Sequence, residues 1–201
     1  MNRSTTWPVL DTALTALSTV IDGLEEGHLQ QPTPCSEWSV AQVIEHAVLD
    51  QLIWASQIIG TPGPTGDAFA PTGRLDPTPA AYARRSLSAV PDAWIQTSAS
   101  TEELATPLPQ GPMAPETAAT ACAMDAAVHA WDIAVATGQP SPLTPELAAA
   151  ILPVAHQLVE PLRQYGAFAP PWTDDASVDD SGPVSNLLSY LGRNPAWTRS
   201  V

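Results

Sequence analysis

An all-α fold, a bundle of four main helices with shorter additions, is what this sequence predicts. Three observations point there. Apolar residues recur at three- and four-residue steps through several long segments, which paints one stripe along a helix. Those segments open on capping residues or proline and close on glycine, the usual punctuation of helix ends. No stretch reads as a strand of alternating apolar and polar residues. Amphipathic helices joined by loops bury their stripes against one another. A chain of 201 residues is long enough for a real core, and one domain over residues 1–201 is expected.

The elements follow in order. Leu10, Leu14, Leu17, Val20, Ile21 and Leu24 mark a first helix from Val9 to Leu24. The second opens at Ser39, with Gln42 three residues on as a capping box, and carries Val40, Val43, Ile44, Ala47, Val48 and Leu52 before Gly60 stops it. Residues 60–78 are rich in proline and glycine and read as a long irregular loop over one end of the fold. Thr78-Pro79 caps a third helix with Ala81, Tyr82, Leu87, Val90 and Trp94, which Pro91 must bend or end. Another loop covers residues 104–115. A fourth helix spans Glu116 to Thr137 and is closed by Gly138. The fifth starts at Thr144-Pro145-Glu146 and runs to Gln164, with irregularities expected at Pro153 and Pro161. A loop from Tyr165 to Ser181 leads to a short helix, Val184 to Leu191, ended by Gly192.

Charge narrows the partners. Seven basic residues, all arginine, face 21 acidic ones, for a net charge of −14. So acidic a surface repels the nucleic-acid backbone and the anionic face of a membrane, and tolerates neutral or cationic small ligands. No apolar run is long enough to span a bilayer, and Met1 to Asp11 has no signal-peptide block, so a cytoplasmic location is expected. Cys35 and Cys122 form no C-x-x-C motif and read as free thiols.

Histidine carries the chemistry. Of His28, His46, His129 and His156, three have a carboxylate four residues away, and two of these pairs draw attention: His46 with Asp50, and Asp125 with His129. Such residues share a helix face, with Cβ atoms roughly 6 Å apart. An imidazole and a carboxylate can then converge on one metal ion, and bundle interiors are where such sites are built. The same spacing also makes a plain hydrogen-bonded pair on a solvated face. A ligand from a second helix would complete three protein donors with one open position, the pattern of a catalytic metal. Glu45 points about 100° away from His46 around the helix and is the poorer partner. His28 and His156 read as capping or surface residues.

Two motifs carry a family resemblance. Thr33-Pro-Cys35-Ser-Glu-Trp38-Ser39-Val40 followed by His46, and Asp125-Ala-Ala-Val-His129-Ala-Trp131-Asp132-Ile-Ala-Val-Ala-Thr137-Gly138, resemble the mycothiol-dependent maleylpyruvate isomerase N-terminal family of the DinB-like four-helix bundles. The tail, with Gly166-Ala-Phe168-Ala-Pro170, Asp174-Asp175 and Leu191-Gly192-Arg193-Asn-Pro195-Ala-Trp197, is similar to a subgroup described as metal-binding. The resemblance implies a DinB-like bundle with an additional short C-terminal helix, and metal ligands at His46, Asp125 and His129. The isomerase has a glutamate where this chain has Asp125, one methylene shorter.

It also implies function: a divalent metal activates a small-molecule thiol, mycothiol, for attack on an electrophile. Zinc suits two imidazoles and a carboxylate first; nickel, iron and manganese are not separated from it by donor type. The resemblance thus points to a thiol-dependent transferase or an isomerase-like enzyme. Transfer is favoured, because the isomerase's second domain is not expected in this chain. The alternative is a metal- or ligand-binding stress or interaction protein of the same fold without turnover. A monomer or homodimer is expected. The absence of lysine, with abundant alanine and proline, suits a GC-rich genome, in keeping with mycothiol's actinobacterial makers.

Other residues stay open between two roles. Asp50 either orients His46 through its second ring nitrogen or is a surface carboxylate. Trp38 and Trp131 read as core aromatics. Asp132 is read as structural, bonded to backbone or an arginine. Cys35 is a reactive thiol at a helix N-terminus or a small loop residue. Arg84-Arg85 attract an anionic thiol cofactor or simply face solvent.

Overall fold

The computed structural model describes residues 6–97, 102–173 and 182–199. Among them every regular element is helical: α1 (Pro8–Asp22), a 3-10 turn (His28–Gln30), α2 (Val40–Ile59), α3 (Pro79–Leu87), α4 (Val90–Ile95), α5 (Pro115–Thr137), α6 (Pro145–Arg163) and α7 (Pro183–Tyr190). The expected Asp174-Asp175 motif lies outside the described residues.

Helix α5 is the axis of the bundle. Its apolar residues run all round rather than in a stripe, and it is buried on nearly every face. Alanine makes this feasible: Ala118, Ala119, Ala121, Ala123, Ala126, Ala127, Ala130, Ala134 and Ala136 are all buried. Their short side chains let α1, α2 and α6 pack close around α5. Helix α1 contributes Leu10, Leu17, Val20 and Ile21, and α6 contributes Ile151, Ala155 and Val159. One hydrophobic cluster joins these helices to Leu187, Leu188 and Leu191 at the C-terminal end.

The ends follow local chemistry. The Ser39 amide donates to Gln42 Oε1 at 3.0 Å, one arm of the expected capping box. Thr78 and Thr144 cap α3 and α6 by accepting from Ala81 N and Leu147 N, each at 3.2 Å. Gly60 and Gly138 close α2 and α5 in left-handed conformations.

Three features differ from expectation. α1 ends at Asp22, where Gly23 leads the chain out of the helix. The third predicted helix is two, α3 and α4, and the break falls before Val90 rather than at Pro91. Proline clashes with the carbonyl four residues earlier, here that of Leu87, which favours a break ahead of it. In α6 the reverse holds. Pro153 and Pro161 sit inside a continuous helix on its exposed side, where water can satisfy the carbonyls they free.

Candidate metal centre

His46 lies in the second turn of α2, and Asp125 and His129 lie one turn apart in the middle of α5. The packing of α2 on α5 brings the three together. Asp125 Oδ1 stands 3.2 Å from His46 Nε2 and 3.4 Å from His129 Nε2. One ligand atom from each falls within 4.8 Å of the others. The two imidazoles meet edge to face, with centroids 4.7 Å apart. Both histidines are 6% exposed, and the Asp125 side chain is 20% exposed, so the cluster is roofed but reachable.

What holds the rings matters as much as their meeting. His46 Nδ1 lies 2.7 Å from the Ala68 carbonyl. A carbonyl only accepts, so Nδ1 carries the proton there and Nε2 is left for Asp125. The carbonyl is presented by the 60–78 loop, which is tied along α2. Glu45 accepts from the Gly73 amide at 2.6 Å and from the Thr72 hydroxyl, and Gln42 donates to the Pro71 carbonyl at 3.1 Å. His129 Nδ1 pairs in the same way with Asp132 Oδ2 at 2.9 Å. Asp132 is fully buried and also accepts from Arg193 at 3.3 Å. Trp38 covers the pair, its ring 4.6 Å from His46 and 6.5 Å from His129.

The electrostatics describe a site waiting for positive charge. Burial opposes ionisation of Asp125, but the neighbouring His129 and His46 overcome it and hold the carboxyl well below the usual range. Burial likewise disfavours a charged His129, yet Asp125 and Asp132 raise it to about 10. A proton on His129 thus stands where a cation would. The second oxygen of Asp125, Oδ2, is buried without a hydrogen-bond partner. Two imidazole nitrogens and a carboxylate with one unsatisfied oxygen suit a divalent ion.

Other expected residues fall into place. Asp50 fits neither of its two readings: the His46 nitrogen it was to orient belongs to Ala68, and the carboxyl is inside the bundle. There Oδ2 finds no partner, and burial together with the Asp125 charge pushes Asp50 well above the ordinary carboxylate range. Asp132 does bond an arginine, as expected, and also holds His129. Cys35 is half-buried near the site; burial outweighs the pull of His129 and Arg193 and pushes its thiol up, the opposite of helix-end activation. Cys122 is locked to Gln51, donating to Oε1 at 3.0 Å. Neither cysteine is in a disulfide. Arg84 pairs with Asp22 on the surface and Arg85 donates to the Asp76 carbonyl, so neither reaches the histidines. His28 Nδ1 accepts from the Glu25 amide, and His156 packs on Tyr190.

Sequence reasoning missed the partners of the ring nitrogens. The Asp132–His129 contact has a signal, three-residue helical spacing. The Ala68 carbonyl and Arg193 have none, since backbone groups and residues 61 positions apart leave no pattern.

The fold is a helical bundle with a His-Asp-His cluster in its interior that could hold a metal ion. The chain belongs to the mycothiol maleylpyruvate isomerase N-terminal domain family, whose model matches residues 10–134. That span holds the cluster, Ala68 and Asp132. Two relatives are the uncharacterized protein Rv0738 of Mycobacterium tuberculosis strain H37Rv and the uncharacterized protein MT0763 of strain CDC 1551. Each is 31% identical over 183 residues, covering 89% of this chain and 92% of the relative. No solved structure matches. Among the described residues no helix is long and apolar enough to cross a membrane.

Proposed function

We propose that the chain binds a divalent metal through His46, Asp125 and His129, zinc first, and uses it in a thiol-dependent transferase or isomerase-like reaction, with mycothiol as cosubstrate. The observation that carries the reading is the pair of ring locks. Both Nδ1 atoms are held by acceptors, Ala68 O and Asp132 Oδ2, so both Nε2 atoms converge on Asp125 Oδ1. A surface ion pair has no need of two oriented imidazoles; a metal centre does.

When bound, the ion supplies Lewis acidity, which lowers the pKa of a thiol sharing the site. The residues supply the rest. Asp125 brings the negative charge and His46 and His129 the neutral nitrogens, so His129 gives up its proton on loading. Trp38 shields the His46 face from water and keeps the local dielectric low. Three protein donors gather here among the described residues, which leaves a coordination position for a ligand and favours chemistry over a closed structural site. Membership of a family described by mycothiol supports a small thiol as the cosubstrate.

The test has two parts. Elemental analysis of purified protein is expected to find about one divalent ion per chain, lost in His46→Ala and in His129→Ala. Metal-loaded protein is then offered mycothiol and a panel of electrophiles, with conjugate or isomerised product expected by mass spectrometry. Metal content equal in wild type and both variants removes the site. Bound metal with no thiol binding and no product removes the enzymatic reading and leaves a metal-binding protein.

A further inference from the structure

The family match ends at residue 134, yet the structure of the cluster does not. Asp132, the residue that grips His129, is 0% exposed. A carboxylate so placed costs several kcal/mol unless it is paired. His129 Nδ1 supplies one partner at 2.9 Å. The other comes from far along the chain: Arg193, 8% exposed, donates to the same Oδ2 at 3.3 Å.

The placement of Arg193 is built, not incidental. Leu187, Leu188 and Leu191 are buried and dock α7 on the bundle. The helix then ends in a Schellman turn. Gly192 N donates to Ser189 O at 3.0 Å and Arg193 N to Leu188 O at 2.9 Å. Gly192 sits at φ +80°, and a Cβ there would come within 2.8 Å of Ala169 Cβ and of the Pro170 carbonyl. Only glycine fits this reversal without displacing backbone. The turn sends the guanidinium back into the bundle, where NH1 is steadied by Leu191 O at 3.1 Å and NH2 reaches Asp132.

We propose that Arg193 is a positioning residue of the metal centre: the turn after α7 aims it at Asp132, and through Asp132 it fixes the His129 ring for metal. The C-terminal helix is thereby part of the site, although it supplies no ligand. The inference rests on the metal-binding reading. Groups that bond a metal ligand directly, as Asp132 bonds His129, cost roughly 10- to 100-fold in metal affinity when removed, and Arg193 acts one step behind that group.

The experiment measures zinc dissociation constants by chelator competition, with circular dichroism to confirm folding, for wild type, Arg193→Ala, Arg193→Lys, Asp132→Ala and the Arg193→Ala/Asp132→Ala double variant. Asp132→Ala is expected to weaken zinc binding roughly 10- to 100-fold, and Arg193→Ala, one step further out, by several-fold. Arg193→Lys, which keeps the charge but not the fork, is expected to recover part of the loss. In the Asp132→Ala background, removing Arg193 is expected to cost no further affinity. Should Arg193→Ala fail to fold, Gly192→Ala keeps the arginine but disturbs its turn, and is expected to weaken zinc as well. Unchanged affinity in a folded Arg193 variant overturns the inference, as does an equal loss in the presence and absence of Asp132. A wild-type chain that binds no zinc refutes the metal site itself, a failure seen before any variant is compared.

Discussion

At the residue scale, His129 is the hinge of the electrostatics. Without metal, its pKa is raised to about 10 by Asp125 and Asp132 against the opposing effect of burial. The unfolded value is near 6.5. A group whose folded pKa is the higher stabilises the fold fully below the unfolded value, and that contribution drains away as pH climbs through the folded one. Asp125 works in the other direction, since its folded pKa is depressed; its contribution is present above about pH 4 and is lost in acid. Metal-free protein is therefore expected to lose stability progressively from about pH 6.5 to about pH 10. Denaturation midpoints in the presence of a chelator measure this. His129→Gln, which cannot hold the proton, is expected to flatten the loss, and equal slopes for the two proteins would count against the assignment.

At the element scale, the loop after α2 is a working part. It lacks regular structure, yet Gln42, Glu45 and His46 bind it along one face of α2. Spacings of three and four residues put those side chains in one row. Glu45 anchors two loop groups with charge-assisted hydrogen bonds, each worth roughly 1.5–3 kcal/mol when well shielded and less at an exposed site. Glu45→Ala is expected to speed hydrogen exchange through residues 68–73 with little change in the helices. Because Ala68 then holds His46 less firmly, zinc affinity should also fall by several-fold. Exchange rates unchanged in that segment would show that the loop is held by other means.

At the scale of the whole molecule, the balance of charge becomes a stability term. A net charge of −14 repels itself. The Arg84–Asp22 pair is exposed, so it contributes little. Screening of that repulsion is expected to raise the melting temperature of metal-free protein between 0.05 and 0.5 M sodium chloride. Calorimetry at the two salt concentrations decides it; a lower melting temperature in high salt would mean that attractive pairs dominate instead.

Much of this protein was legible in its sequence, for physical reasons that differ by element. Helix periodicity, the Ser39–Gln42 box, the threonine caps and the closing glycines depend on neighbours within a turn, so they can be read from one strand of text. The His46, Asp125 and His129 cluster was reachable because Asp125 and His129 share a turn and the motifs around both helices resemble a family. Helix ends were misplaced by a residue or two, whereas the features of the site that were misplaced involve partners distant in the chain. Asp50 looked like a neighbour of His46 or a surface group, but packing turned it inward and gave its place on the ring to a loop carbonyl. Arg193 stood in a tail motif with no assigned task until α7 docked and the Gly192 turn brought it 61 residues back to Asp132. Local backbone energetics thus determined the helices by themselves. Which buried polar groups satisfy one another was decided only by tertiary packing, because a buried charge must take whatever partner the fold delivers.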